Sequence, residues 1–202
     1  MYKRQARVQH YLYENGEYDP EAENSFAPAL INRIDRNTGG IVMAAKNAET
    51  LRIMNQKVKD REMDKLYLCV VCGVPKKKTD ILTGYLEKNE SQNRVYISNK
   101  KTPESRSIRT KYTVLETRRD FSLLEVELLT GRTHQIRAQF THRRLPLVGD
   151  RKYGGRDDGC DIALWSYSIG FTNPATGRFM TFKVKPPRAF PWTEFDTAIM
   201  PR

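Results

Sequence analysis

Apolar and polar positions alternate differently in the two halves of the chain. Residues 4–14 can form a first helix, and over the second stretch, 47–61, apolar residues recur at the spacing of an amphipathic helix. In the second stretch Leu51, Met54 and Val58 share one face, with Lys, Arg and Glu opposite. Asn15-Gly16 is a stop signal for the first helix. Residues 19–26 are polar and turn-like. The apolar run 41–45 predicts a short buried strand, and 65–73 predicts another, closed by Gly73-Val74-Pro75. Beyond it, residues 80–86, 94–98, 108–116 and 122–129 carry strand signals, several with alternating apolar and polar positions. Residues 133–142 return to helical spacing, with Ile136 and Phe140 four apart and polar residues on the other face. Residues 161–171 and 179–184 read as a strand pair joined by the turn Asn173-Pro174-Ala175-Thr176-Gly177.

This pattern predicts an α+β fold: a mixed, largely antiparallel sheet with a few flanking helices. Neither a repeat nor a Gly/Ser linker interrupts it, so a single domain over 1–202 is expected. With 39% hydrophobic and 29% charged residues, the composition is that of a soluble globular protein. The sequence shows no apolar run long enough to span a bilayer and no secretory signal in its first thirteen residues, which points away from a membrane partner.

A net charge of +11 calls for a polyanionic partner, nucleic acid first, or else marks a merely basic surface. The excess is concentrated. Arg132, Arg137, Arg143, Arg144, Arg151, Lys152 and Arg156 fall within one stretch, against Asp150, Asp157 and Asp158. Such a cluster can neutralise several phosphates at once. The cysteines, Cys69, Cys72 and Cys160, are too few and odd in number for a disulfide framework and fit a reducing, cytoplasmic compartment. Cys69 and Cys72 lie three apart on an expected strand, so they point to opposite faces and read as core residues rather than metal ligands. No metal or organic cofactor is implied.

Two segments carry candidate chemistry. In Asn32-Arg33-Ile34-Asp35-Arg36-Asn37-Thr38-Gly39-Gly40 the flanking arginines favour an ionised carboxylate, an available nucleophile in a glycine-hinged loop. A surface ion-pair cluster on a turn is the other reading of the same residues. In Leu128-Leu129-Thr130-Gly131-Arg132-Thr133-His134-Gln135-Ile136-Arg137 a strand passes through a glycine turn into a helix start. Backbone amides, two arginines and a histidine there make either an anion site or a capped helix with solvated arginines. His134 is a general base by type, but nothing pairs it with a Ser or Cys nucleophile, so an RNA or structural contact is expected of it.

Taken together, these segments resemble the RluA-type pseudouridine synthases. The family's H-R-L-D-x-x-T-S-G motif is matched by Asn32 to Gly40. Its K-x-Y strand is matched by Lys65-Leu66-Tyr67, and its T-G-R-[ST]-H-Q-[IL]-R motif by Thr130 to Arg137 at every position. A G-D-x-x-Y-G sequence follows at Asp150 and Tyr153. The resemblance implies the pseudouridine synthase catalytic fold and isomerisation of uridines in RNA, by general similarity large-subunit (23S) ribosomal RNA. It implies Asp35 as nucleophile, Tyr67 as the ring stacking on the extruded base and moving a proton, and Arg137 as partner of the carboxylate. Arg33 would enter the RNA stack and Ile136 would wall the base pocket. Arg36, Arg132, His134, Arg143 and Arg144 are the further expected RNA contacts. Asn32 stands where many relatives have His, which implies altered loop packing. Gly39 stands where Ser is usual, which implies one hydrogen bond fewer. The family's first strand, with its K-P-x-G sequence, and its frequent S4-type RNA-binding domain have no counterpart. The chain therefore reads as an N-terminally truncated catalytic domain, a monomer or one that self-associates through an exposed sheet edge. A non-catalytic RNA-binding protein or a tRNA-directed synthase of the same fold is the alternative. A two-carboxylate glycosidase lacks a second carboxylate in a comparable loop.

Overall fold

The computed structural model describes residues 2–22, 26–155 and 159–200. Its elements in chain order are α1 (Tyr2–Glu14), β1 (Ala29–Leu30), β2 (Gly39–Gly40), β3 (Ala44–Ala45), α2 (Ala48–Asp60), β4 (Asp64–Cys72), β5 (Thr79–Asn89), β6 (Arg94–Ser98), β7 (Arg106–Arg118), β8 (Phe121–Leu128), α3 (Gln135–His142), β9 (Leu164–Thr172) and β10 (Phe179–Lys183), followed by two short 3-10 turns. They form two compact units. The first is Met1–Ile34, Ile41–Asp64 and Ser168–Lys183; the second is Asp35–Gly40, Lys65–Tyr167 and Val184–Arg202. The backbone changes unit between adjacent residues, once inside β4 and once inside β9, and no linker marks the division in the sequence.

In the first unit α2 forms where its periodicity predicts. The Asn47 side chain accepts the Thr50 amide at 2.8 Å, and Arg61, in the left-handed region, ends the helix. Met54 is buried with Met63 and Ile169, against Ile31, Ile41, Met43, Val58 and Phe171. Strand pairing over 41–45 is shorter than predicted. Only Ala44 and Ala45 pair, antiparallel to β1. The reason is Asn32, whose buried side chain accepts the Met43 amide at 2.6 Å and donates to the Ile41 carbonyl at 3.4 Å. Those backbone groups are satisfied by a side chain instead of a ladder. Helix α1 holds the preceding segment: Arg4 donates to the Ile34 carbonyl and Gln9 to that of Pro28. The later half of β9 pairs antiparallel with β10, from Phe179 opposite Thr172 to Lys183 opposite Ser168, as the strand-pair pattern predicts.

In the second unit the strand order is β4-β8-β7-β5-β6, all antiparallel, with β9 on the other side of β4 and β2 added parallel to β9. Alternation along β4 sorts its side chains. Leu68 and Val70 enter a core with Leu123, Val148, Ala163, Tyr167, Trp192 and Phe195, with Cys72 packed against it, while Tyr67 and Cys69 point to the other face. Cys69 is fully buried and its thiol pKa is pushed up by that burial, so it is an unreactive core residue. Strand β9 starts at Leu164 rather than at residue 161; the Ala163 carbonyl accepts instead from the Val70 amide. Among the described residues no helix is long and apolar enough to cross a membrane.

Helix α3 departs most from its sequence pattern. It begins at Gln135, not at 133, and its expected solvated face is buried: Gln135, Arg137 and Gln139 are as inaccessible as Ile136 and Phe140. The Gln135 amide nitrogen donates to the Arg109 carbonyl and the Thr110 hydroxyl, and its oxygen accepts from the Thr130 hydroxyl and the Arg132 amide. Gln139 donates to the Leu82 carbonyl and accepts from Thr110. Fully partnered amides can be buried at small cost, so α3 fastens to the sheet through its polar side.

Candidate active site

Asp35 lies in the loop that leads into β2. The Thr38 amide donates to the Asp35 carbonyl at 3.1 Å, and Asn37 takes the left-handed conformation that Asn tolerates. Gly39 and Gly40 then pair in parallel with Trp165 and Ser166. A Cβ on Gly40, at φ +99°, would stand 2.2 Å from the Ser166 carbonyl oxygen, and one on Gly39 would stand 2.1 Å from the Trp165 ring. The glycine at 39 is therefore a seat for an indole, a steric role beyond the hydrogen bond expected to be lost relative to Ser.

The Asp35 carboxylate meets Arg137, 102 residues on, while the sequence neighbours Arg33 and Arg36 are both exposed. Arg137 Nη1 is 3.4 Å from Asp35 Oδ2, while its Nε and Nη2 donate to the two oxygens of Asp150 at 2.8 Å each. The Arg137 and Asp150 side chains are 9% and 1% exposed, so this bidentate pair is shielded from water. Asp150 also accepts the Tyr153 amide, and the Arg137 guanidinium lies 5.1 Å from the Tyr153 ring centre. Burial works against the arginine's charge, but the hydrogen bonds and negative charges of Asp150 and Asp35 outweigh it, and the pKa of Arg137 is raised. The anion seen by this arginine is thus supplied from within the chain, first by Asp150.

Tyr67 sits on β4, paired with Val126 of β8, and is buried. Its pKa is pushed up to about 12, by burial first and then by the charge of Asp35, with a hydrogen bond from Ser166 pulling the other way. Its phenol stays protonated near neutral pH and is placed to feel Asp35. His134 Nε2 is 3.9 Å from Asp35 Oδ2, and its Nδ1 is 3.0 Å from the Tyr153 hydroxyl. Ile136 is buried on α3. Arg132 is exposed before the start of α3, and Arg143 and Arg144 are exposed after its end. At roughly 1.5 Å per residue the eight-residue helix puts about 12 Å between these groups. Arg33 is exposed in the first unit. Arg156, with Asp157 and Asp158, lies outside the described residues. Asp35, Tyr67, Arg137 and His134 are thus brought together. Sequence reasoning assigned no role to Asp150 or Tyr153, although their three-residue spacing in G-D-x-x-Y-G was the available signal, and it missed Ser166, which no motif marks.

This arrangement sits within a known sequence family. The profile of the RNA pseudouridylate synthases matches residues 4–142. The chain belongs to that family. An uncharacterized RNA pseudouridine synthase of Chloroflexus aurantiacus is 34% identical over 158 residues, covering 77% of this chain and 49% of the relative. A ribosomal large subunit pseudouridine synthase D of Borreliella burgdorferi is 32% identical over 151 residues, covering 73% and 45%. The chain spans about half the length of these curated relatives. Among solved structures, human RNA pseudouridylate synthase domain containing 1 shares the fold, with a TM-score of 0.71 at 21% identity, over 80% of this chain and 70% of that one. In the family's terms, Asp35 and Arg137 both fall inside the matched segment, whereas Asp150 and Tyr153 lie beyond it.

Proposed function

We propose that this chain converts uridine to pseudouridine in large-subunit ribosomal RNA, with Asp35 as the catalytic carboxylate. The observation that carries this reading is the buried Asp150–Arg137 pair, whose Nη1 meets Asp35, with Arg137 and Asp35 both inside the segment that the family profile matches. The reaction breaks the N1–C1′ bond of uridine and joins C5 to C1′; the C5 proton is lost and N1 gains one. Positive character develops at C1′ as the base departs, and a fixed carboxylate stabilises or captures it. Arg137 holds that carboxylate in place, and Asp150 holds Arg137. The uridine must first leave its stack, at a cost of a few kcal/mol. Arg33 is suited to fill the gap, while Ile136 and Tyr67 receive the base. With a phenol pKa of about 12, Tyr67 acts as a stacking surface and hydrogen-bond donor and not as a resting base. Arg36, Arg132, Arg143 and Arg144 supply phosphate contacts, and no cofactor is called for. Similarity to relatives named for the ribosomal large subunit supports the choice of RNA.

The test is product analysis. Large-subunit ribosomal RNA transcribed without modification is incubated with the chain, digested to nucleosides and separated. Pseudouridine, equal in mass to uridine but chromatographically distinct, is expected. Its absence from ribosomal RNA and presence in a transfer RNA transcript would move the substrate; its absence from both would refute the activity.

A further inference from the structure

Tyr153 is 3% exposed, and its hydroxyl has two neighbours among the described residues. One is the Val95 amide at 2.9 Å, which can only donate. The other is His134 Nδ1 at 3.0 Å. A phenol carries a single proton, and with Val95 donating to its oxygen that proton has His134 Nδ1 as its acceptor. Nδ1 then carries no hydrogen, and the proton of the neutral imidazole is on Nε2, 3.9 Å from Asp35 Oδ2. The opposite tautomer would leave the buried phenol proton without an acceptor and turn a lone pair toward a carboxylate, both unfavourable. The neutral imidazole is the resting form. Burial and the charges of Arg137 and Lys152 lower the pKa of His134, against the upward pull of Asp35 and Asp150. The residue is held firmly as well. It precedes α3 at φ +54°, sparsely occupied by side-chain-bearing residues, and its ring packs edge-on against Tyr153 with centroids 5.6 Å apart.

We infer that His134 is a positioning residue for the reaction: its Nε2–H, fixed by the Tyr153 hydroxyl at Nδ1, is a second donor aimed at the Asp35 carboxylate beside Arg137. The inference rests on the reading of Asp35 as the catalytic carboxylate. The 3.9 Å separation exceeds a hydrogen bond, as is common before substrate closes a site. Tyr153 thereby has two tasks, orienting His134 through its hydroxyl and covering Arg137 with its ring.

The test uses the full chain labelled with 15N-histidine. There are three histidines, and loss of a signal in His134→Gln assigns this one. At neutral pH, proton–nitrogen correlation spectra should show His134 as the Nε2–H tautomer, and Tyr153→Phe should shift its population toward Nδ1–H. In parallel, His134→Gln keeps an N–H near the position of Nε2 and should retain most of kcat. His134→Leu should lose roughly tenfold to a hundredfold in kcat with KM for RNA unchanged, the scale of a misplaced reacting group. An Nδ1–H or doubly protonated His134, a tautomer unaffected by Tyr153→Phe, or equal kcat in the Leu and Gln variants would overturn the inference. An Nε2–H tautomer in a wild-type chain that forms no pseudouridine would leave the proton placement standing and remove its role in a reaction, which separates this failure from that of the activity itself.

Discussion

At the scale of the residue, the site turns on one guanidinium. Arg137 shares its donors between Asp150, a fully buried carboxylate, and Asp35, a partly open one. Removing one partner of a buried pair strands the other charge at about 3–5 kcal/mol. Asp150→Asn should therefore destabilise the chain by about that much in urea unfolding, and lower activity as Arg137 loosens. Replacing both partners with apolar residues of similar size is often near neutral, so Arg137→Met with Asp150→Leu should recover stability while activity stays lost. Recovery of both together would mean that the pair serves folding alone. This arrangement was half legible in the sequence. The third motif marked Arg137, whereas local charge drew attention to Arg33 and Arg36, which are exposed. Which arginine meets a carboxylate is decided by long-range packing, and adjacency says little about it.

At the scale of the element, helix α2 and strands β5 to β8 follow from periodicity, because each has one apolar side and a cap or turn at its ends. The misreadings share a cause. Asn32 satisfies the backbone of Ile41 and Met43 and so shortens β3, and the two glutamines of α3 find acceptors on β5 and β7, so a polar face is buried. Polarity predicts exposure only when no distant partner is available, and those partners lie far off in sequence. The β2–β9 pairing makes a further case. Its closeness depends on Gly39 beneath the Trp165 ring, whose Nε1 is anchored on the Val184 carbonyl at 2.9 Å. Gly39→Ser should cost about 1–3 kcal/mol through overpacking, and Trp165→Val in the same chain should relieve part of it. A double-mutant cycle by thermal unfolding checks this; strictly additive effects would mean that the ring moves aside freely.

At the scale of the whole molecule, the net charge of +11 becomes a binding surface only where the arginines remain exposed. Arg137, inside the basic cluster by sequence, is withdrawn into the site, while Arg33, Arg36, Arg132, Arg143 and Arg144 stay in solvent. If these five contact phosphates, at about −0.7 per contact for single-stranded RNA, log affinity should fall with log salt at a slope of about −3.5. Filter binding across a salt series reads that slope, and a flat response would contradict phosphate-driven affinity. Binding and chemistry should also separate, since Asp35 is an anion and adds nothing to the attraction for RNA. The most direct measurement is therefore release of tritium from C5-labelled uridine in large-subunit ribosomal RNA by the wild-type chain and by Asp35→Asn. Expected are release to water by the wild type, none by Asp35→Asn, and RNA affinity in the variant at least equal to that of the wild type; undiminished release from Asp35→Asn would rule out Asp35 as the catalytic carboxylate.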